Sequence, residues 1–263
     1  MASTLSRDGT KIVYDKTGSG PALIIVAGAF QGRFAMSVYA EPLSQRFTVY
    51  NYDRRGRGES GDTAPYAITR EMEDLGAVLQ EAGGSAFVFG GSSGGVLTLD
   101  AAAHGLPITK LAVYEPPFVV DDSRAPVAAD IVDQLKNMID SGRRGDAAET
   151  FMIQGSLMPA EMVAGMRTQP FWSEVEAVAP TLVYDAMIMN GTMRGTPLPV
   201  DRWSFVTIPT LVIYGGDGPA WSRRAAESLV ALLPHAEGKA LEGQFHALTP
   251  EALTPVLEEF FLG

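Results

Sequence analysis

Six residues, Gly90-Gly91-Ser92-Ser93-Gly94-Gly95, separate an apolar run (Ala86-Phe87-Val88-Phe89) from a helix-like stretch, Val96 to His104. A glycine-flanked serine between a strand and a helix marks a very sharp turn. Such a turn strains the serine backbone and requires tiny neighbours. It lifts the hydroxyl clear of the sheet and aims free helix N–H groups at the same spot.

The rest of the chain alternates in the same way. Thr4-Leu5-Ser6, Asp8-Gly9 and Lys11 to Asp15 read as a β-hairpin. Ala22 to Ala27 is continuously apolar, the pattern of a strand covered on both faces. Phe47 to Tyr52, Lys110 to Tyr114 and Thr210 to Tyr214 are further strands. Ile68, Met72, Leu75 and Leu79 repeat at helical spacing, with acids near the start and Gly83-Gly84 at the end. The last helix is predicted to begin at Thr254-Pro255. Alternating strands and helices imply an α/β fold with a parallel sheet and right-handed crossovers.

Residues 118–203 break the rhythm. They contain no convincing strand, and they hold eight of the eleven methionines, Met138, Met152, Met158, Met162, Met166, Met187, Met189 and Met193. The expected organisation is a core of residues 1–117 and 204–263 with residues 118–203 as a helical lid. It would fold over the C-terminal edge of the sheet, where ligands bind in open α/β folds.

The chain has 263 residues, enough for one large core. A net charge of −11 argues against nucleic acid and anionic membranes as partners, because both need a basic face. The absence of cysteine excludes disulfides, thiol catalysis and cysteine-ligated metals. No signal-length or membrane-spanning apolar segment is visible, so a cytoplasmic location is the default expectation. No H-E-x-x-H or G-x-G-x-x-G occurs where a metal or dinucleotide would need it, and no cofactor is expected.

Two serines fit G-x-S-x-G. Ser92 is preferred as nucleophile, because Gly94-Gly95 then open the helix; Ser93 is the alternative register. Three histidines are available as its base. His104 belongs at a helix C-terminus and His235 in a surface-like loop. His246 lies in the late loop where the serine–acid–histidine order places a base. Glu115 and Asp217 both follow strands and compete for the role of the acid that orients the ring. An oxyanion hole needs two backbone N–H groups. Those of Ser93 and of Ala29, in the loop after the Ala22 to Ala27 strand, are the candidates. Asp53-Arg54-Arg55-Gly56-Arg57-Gly58-Glu59-Ser60 reads as a salt-bridged turn buttressing the serine turn.

Together these residues resemble the α/β-hydrolase superfamily, whose D-x-R-G-x-G-x-S turn is similar to the segment Asp53 to Ser60. The resemblance implies an eight-stranded, mostly parallel sheet flanked by helices, with a helical cap inserted before the penultimate strand. Two positions depart from the family pattern. Ala27-Gly28 stands where His-Gly is usual, and Gly218 occupies the usual acid position, one residue beyond Asp217. Members that carry the acid on the strand before the cap place it where Glu115 falls, which favours Glu115. Serine rather than aspartate at the nucleophile position disfavours the haloalkane dehalogenase and epoxide hydrolase branches.

The expected activity is cofactor-independent hydrolysis of a small apolar carboxylic ester or lactone through an acyl-enzyme. The rival expectations are a non-hydrolytic ligand-binding protein and a lyase or cyclase on the same fold. The partner expected is a small apolar acyl substrate. Whether the chain forms a homo-oligomer is not written in any motif.

Overall fold

The computed structural model describes residues 1–263. Its apolar runs become the strands β1 (Ala2–Leu5), β2 (Lys11–Thr17), β3 (Ala22–Val26), β4 (Thr48–Tyr52), β5 (Ala86–Gly91), β6 (Ile108–Tyr114), β7 (Thr210–Gly215) and β8 (Ala236–Leu241). They form one sheet in the order β1-β2-β4-β3-β5-β6-β7-β8. β2 pairs antiparallel with β1 and with β4, and every other pairing is parallel.

Alternate side chains of one strand serve opposite faces. Leu23 and Ile25 enter one core while Ile24 and Val26 enter the other. The first face is covered by α1 (Arg33–Leu43) and α11 (Pro250–Leu262), the second by α2 (Ile68–Glu81), α3 (Ser93–Ala103) and α10 (Ala220–Leu232). From β3 the chain crosses to β4 on one side and then returns past β3 to β5 on the other. This reversal opens a crevice at the C-terminal ends of β3 and β5, the position where open α/β sheets bind ligands.

Between β6 and β7 every regular element is helical: α4 (Ile131–Asp140), α5 (Arg144–Thr150), a π turn over Phe151–Gly155, α6 (Ala160–Arg167), α7 (Trp172–Val178), a 3-10 turn over Ala179–Thr181, α8 (Leu182–Ile188) and α9 (Val200–Trp203). This insertion has no separate core. Its Phe118, Leu135, Leu182, Ile188 and Trp203 lie in the same apolar cluster as Val88 and Val113 of the sheet. Met152, Met189 and Met193 are buried in that cluster too, which makes them packing residues. Asp100 of α3 anchors the insertion: it accepts two bonds from Arg202, at 2.7 and 2.8 Å, and one from the Trp203 indole at 2.9 Å.

Two sequence expectations are corrected. The last helix starts one turn early, with Thr249 as its cap and Pro250 in its first turn, and Pro255 lies inside it. Leu253, Leu257 and Phe261 are all buried along one stripe, and burial of each is worth about 1.5–3 kcal/mol. That gain outweighs the hydrogen bond Pro255 removes. β8 was not marked by the residue pattern because it is a mostly exposed edge strand, Ala236-Glu237-Gly238-Lys239-Ala240-Leu241. Charged residues on an edge keep it from pairing further. No helix is long and apolar enough to cross a membrane.

Candidate active site

β5 runs into Ser92, whose φ of 51° and ψ of −123° lie outside the regions favoured by L-residues. The turn closes because its flanks are glycines. A Cβ at Gly94 would stand 2.5 Å from the Val26 carbonyl oxygen, and one at Gly90 would stand 2.7 Å from Thr98 Oγ1. The Ser92 N–H donates to the Tyr114 carbonyl at 2.8 Å, so the serine sits beside the end of β6. Ser93 starts α3, where the first N–H groups have no intrahelical partner. Its side chain is fully buried, and its hydroxyl donates to Asp185 Oδ1 at 2.7 Å. The two serines therefore have different environments: Ser92 is at the strained position and half-buried, while Ser93 is tied down.

Glu115 follows Tyr114 directly and also has a positive φ, 41°. Its Oε1 accepts the Gly215 N–H at 3.0 Å, and its Oε2 meets His246 Nδ1 at 2.7 Å. The carboxylate side chain is 1% exposed and the imidazole 60%. A carboxylate accepting at Nδ1 leaves Nε2 as the free ring nitrogen. The imidazole stacks near Tyr114, with centroids 6.3 Å apart, and the Tyr114 hydroxyl donates to the Phe245 carbonyl. The ring's hydrogen bond is to Glu115, and none joins it to the Ser92 hydroxyl. That is a common resting state for groups that align only around substrate.

Asp217 does not touch the ring. Its Oδ1 accepts the Gly243 N–H at 3.2 Å and its own N–H donates to the Gln244 carbonyl, so it braces the loop that carries His246. His104 caps α3, with Nδ1 2.8 Å from the Asp100 carbonyl, and His235 is exposed.

The loop after β3 packs against the serine turn. A Cβ at Gly28 would come within 3.1 Å of both Ser92 Cβ and the Gly91 carbonyl oxygen. No backbone carbonyl accepts the Ala29 N–H. Phe30, with φ of 63°, completes a set of three strained residues here; only one other non-glycine residue of the chain, Leu157, has positive φ. Strain of about 1–3 kcal/mol per residue persists where surrounding structure enforces it, and it gathers at functional sites.

The turn Asp53 to Ser60 is an ionic cluster. Arg54 pairs in a fork with Glu71, both bonds 2.7 Å, and Arg55 does the same with Asp74. Arg33 donates to Asp53 through its N–H (2.7 Å) and Nε (3.0 Å). The carboxylate that completes the cluster, Asp185 on α8, was missed by sequence reasoning. The signal for it was three arginines within four residues, which need more buried carboxylates than the turn supplies.

An open cleft of about 500 Å³ lies between Phe30–Ala35 and α7, with Phe30, Phe34, Phe171 and Val175 on its walls. Neither Ser92 nor His246 lines it. A smaller apolar hollow of about 20 Å³ inside the insertion is lined by Val127, Ile131, Phe151 and Met189. Phe151 meets Phe30 edge-on, with centroids 5.6 Å apart, which joins this hollow to the β3 loop. No group of three or more His, Asp or Glu side chains is placed to hold a metal ion.

The chain belongs to the alpha/beta hydrolase family, which matches it over residues 23–255. An alpha/beta hydrolase from Sphaerobacter thermophilus has 50% identity and a TM-score of 0.92, covering 99% of this chain and 100% of that one. An esterase from Exiguobacterium antarcticum shares the fold, with a TM-score of 0.75 at 18% identity and full coverage of both chains. Among curated relatives, the uncharacterized hydrolase YraK of Bacillus subtilis is 34% identical over 101 residues, 37% of each protein. The alignment thus spans little more than a third of that relative's length.

Proposed function

We propose that the protein is a cofactor-independent serine hydrolase of small apolar carboxylic esters or lactones. The observation that carries the reading is the 2.7 Å bond from His246 to the buried Glu115, beside the strained Ser92. Glu115 holds the ring in one tautomer and stabilises its protonated form. His246 Nε2 takes the Ser92 proton while Oγ bonds to the substrate carbonyl carbon. The carbonyl electron pair moves to oxygen, which the Ala29 and Ser93 N–H groups hold. The pair then returns, the ester C–O bond breaks, and the imidazolium gives its proton to the leaving oxygen. Water repeats the sequence on the acyl-enzyme and releases the carboxylic acid and the free Ser92 hydroxyl.

The helical insertion, residues 118–203, acts as a cap over this edge of the sheet. Phe30, next in the chain to Ala29, and Phe151, which meets it edge-on, supply apolar surface suited to a small apolar acyl group. Release of p-nitrophenol from p-nitrophenyl acetate and butyrate tests the reading. The expected result is saturable turnover that Ser92→Ala abolishes and Ser93→Ala only weakens. Turnover that survives Ser92→Ala overturns it, as does tight binding of such esters without any turnover.

A further inference from the structure

Asp185 is fully buried, and each of its oxygens is used. Oδ1 accepts the Ser93 hydroxyl at 2.7 Å and Arg54 Nη1 at 2.8 Å, and Oδ2 accepts Arg57 Nη2 at 2.5 Å. Both arginines reach on to the loop after β3. Arg54 Nη1 donates to the Ala27 carbonyl at 3.2 Å, and Arg57 Nη1 to the Gly28 carbonyl at 2.5 Å and the Gln31 carbonyl at 3.2 Å. Thr181, just before α8, accepts from Arg57 Nε at 3.2 Å.

The Gly28 carbonyl and the Ala29 N–H belong to one planar trans peptide and point in opposite directions. A guanidinium that fixes the carbonyl therefore fixes where the N–H aims. The other amide assigned to the oxyanion, that of Ser93, belongs to the residue whose hydroxyl Asp185 holds. One carboxylate thus reaches both amides, one through Ser93 itself and the other through Arg57.

Stability alone does not explain such a cluster. Well-packed apolar residues in place of a buried ionic group are often as stable or more so, and such groups are best attested where they fix one arrangement. Burial pushes the Asp185 carboxyl up, but the Arg57 and Arg54 charges and the Ser93 bond outweigh it and bring it below its ordinary value. The group stays ionised in the folded protein at neutral pH.

We propose that Asp185 is a positioning residue for the two oxyanion-binding amides, so that α8 must be seated on the serine turn for the site to reach full rate. The inference rests on the serine hydrolase reading above. It makes the insertion part of the alignment of the reacting groups as well as a cover for them.

The test compares wild type, Ser93→Ala and Arg57→Lys with three readouts. These are kcat and KM for p-nitrophenyl acetate, Ki for an aryl trifluoromethyl ketone, and Tm. The ketone adds to the serine and places an oxyanion on the two amides. Ser93→Ala keeps the backbone N–H and removes only the tether. It is expected to lower kcat about 10-fold and weaken the ketone by a similar factor, with KM within about 2-fold, since a lost oxyanion donor costs about 10²–10³ and a misaimed one less. Arg57→Lys keeps the charge but loses the fork that spans Asp185 and Gly28, and its loss of kcat should be the larger. Should Asp185→Asn fail to fold, these two variants still decide. Variants that lose Tm but keep kcat and ketone affinity within 2-fold of wild type overturn the proposal, as does a rise confined to KM. A wild-type protein that neither turns over the ester nor binds the ketone overturns the hydrolase reading itself, a result visible before any variant is made.

Discussion

The sheet edge and the helical insertion contribute to the site in different ways. Ser92 and Glu115 directly follow strands, Ala29 lies in the loop after β3, and His246 lies in the loop after β8. Strand pairing fixes these backbones, and three of them or their neighbours hold positive φ. The insertion places no group of the proposed triad. Its part is Asp185, which enters through a side chain from a helix that shares the common core. The proposed reacting groups are thus built onto the rigid framework, while their alignment depends on an element that contacts the framework through packing, hydrogen bonds and a few ion pairs. A site divided in this way can lose rate without losing its chemistry.

Substitutions in the two regions should differ accordingly. At the sheet edge, Ser92→Ala should reduce kcat/KM on the order of 10⁴-fold or more. Glu115→Gln should cost on the order of 10²–10⁴ in kcat, whereas Asp217→Asn, which loosens only the loop brace, should stay within about 3-fold. Equal losses for the two acids would erase the distinction drawn between them.

In the insertion, Asp185→Asn leaves Arg57 and one arm of Arg54 buried without their carboxylate. It should cost about 3–5 kcal/mol in urea unfolding, far more than its neighbours. Its acid behaviour sharpens the point. The folded pKa of Asp185 lies below its ordinary value of 3.8. Its stabilisation is therefore complete above that value and lost as pH falls through the lower, folded one. The gap in stability between wild type and Asp185→Asn should be flat at neutral pH and close only below about pH 4. A gap that closes between pH 5 and 7 would contradict the assignment. The smallest effect is expected at Met189→Leu, a volume-conserving change in the shared core. It should cost less than about 1.5 kcal/mol and leave kcat unchanged.

The same division decided what could be read from the chain. Strand-end residues announce themselves: an apolar run followed by Gly90-Gly91-Ser92, a Glu115 after Leu111 to Tyr114, a late His246. Local spacing carries that information, and seven of the eight strands were marked by their patterns. β8 was not, because an exposed edge strand lacks apolar alternation. The start of α11 was misplaced because Thr-Pro occurs at both Thr249-Pro250 and Thr254-Pro255, and only the buried stripe of Leu253, Leu257 and Phe261 selects the earlier pair. Asp185 was invisible for a different reason. Its partners lie 92, 128 and 131 residues away, and nothing local distinguishes it from a surface acid on a short helix.

The most direct measurement is mass spectrometry of the protein after reaction with a fluorophosphonate, which modifies only an activated serine. One adduct is predicted on wild type and on Ser93→Ala, none on Ser92→Ala, and a much slower reaction when His246 is replaced by Ala. An adduct that survives Ser92→Ala, or no adduct on the wild-type protein, would contradict the account.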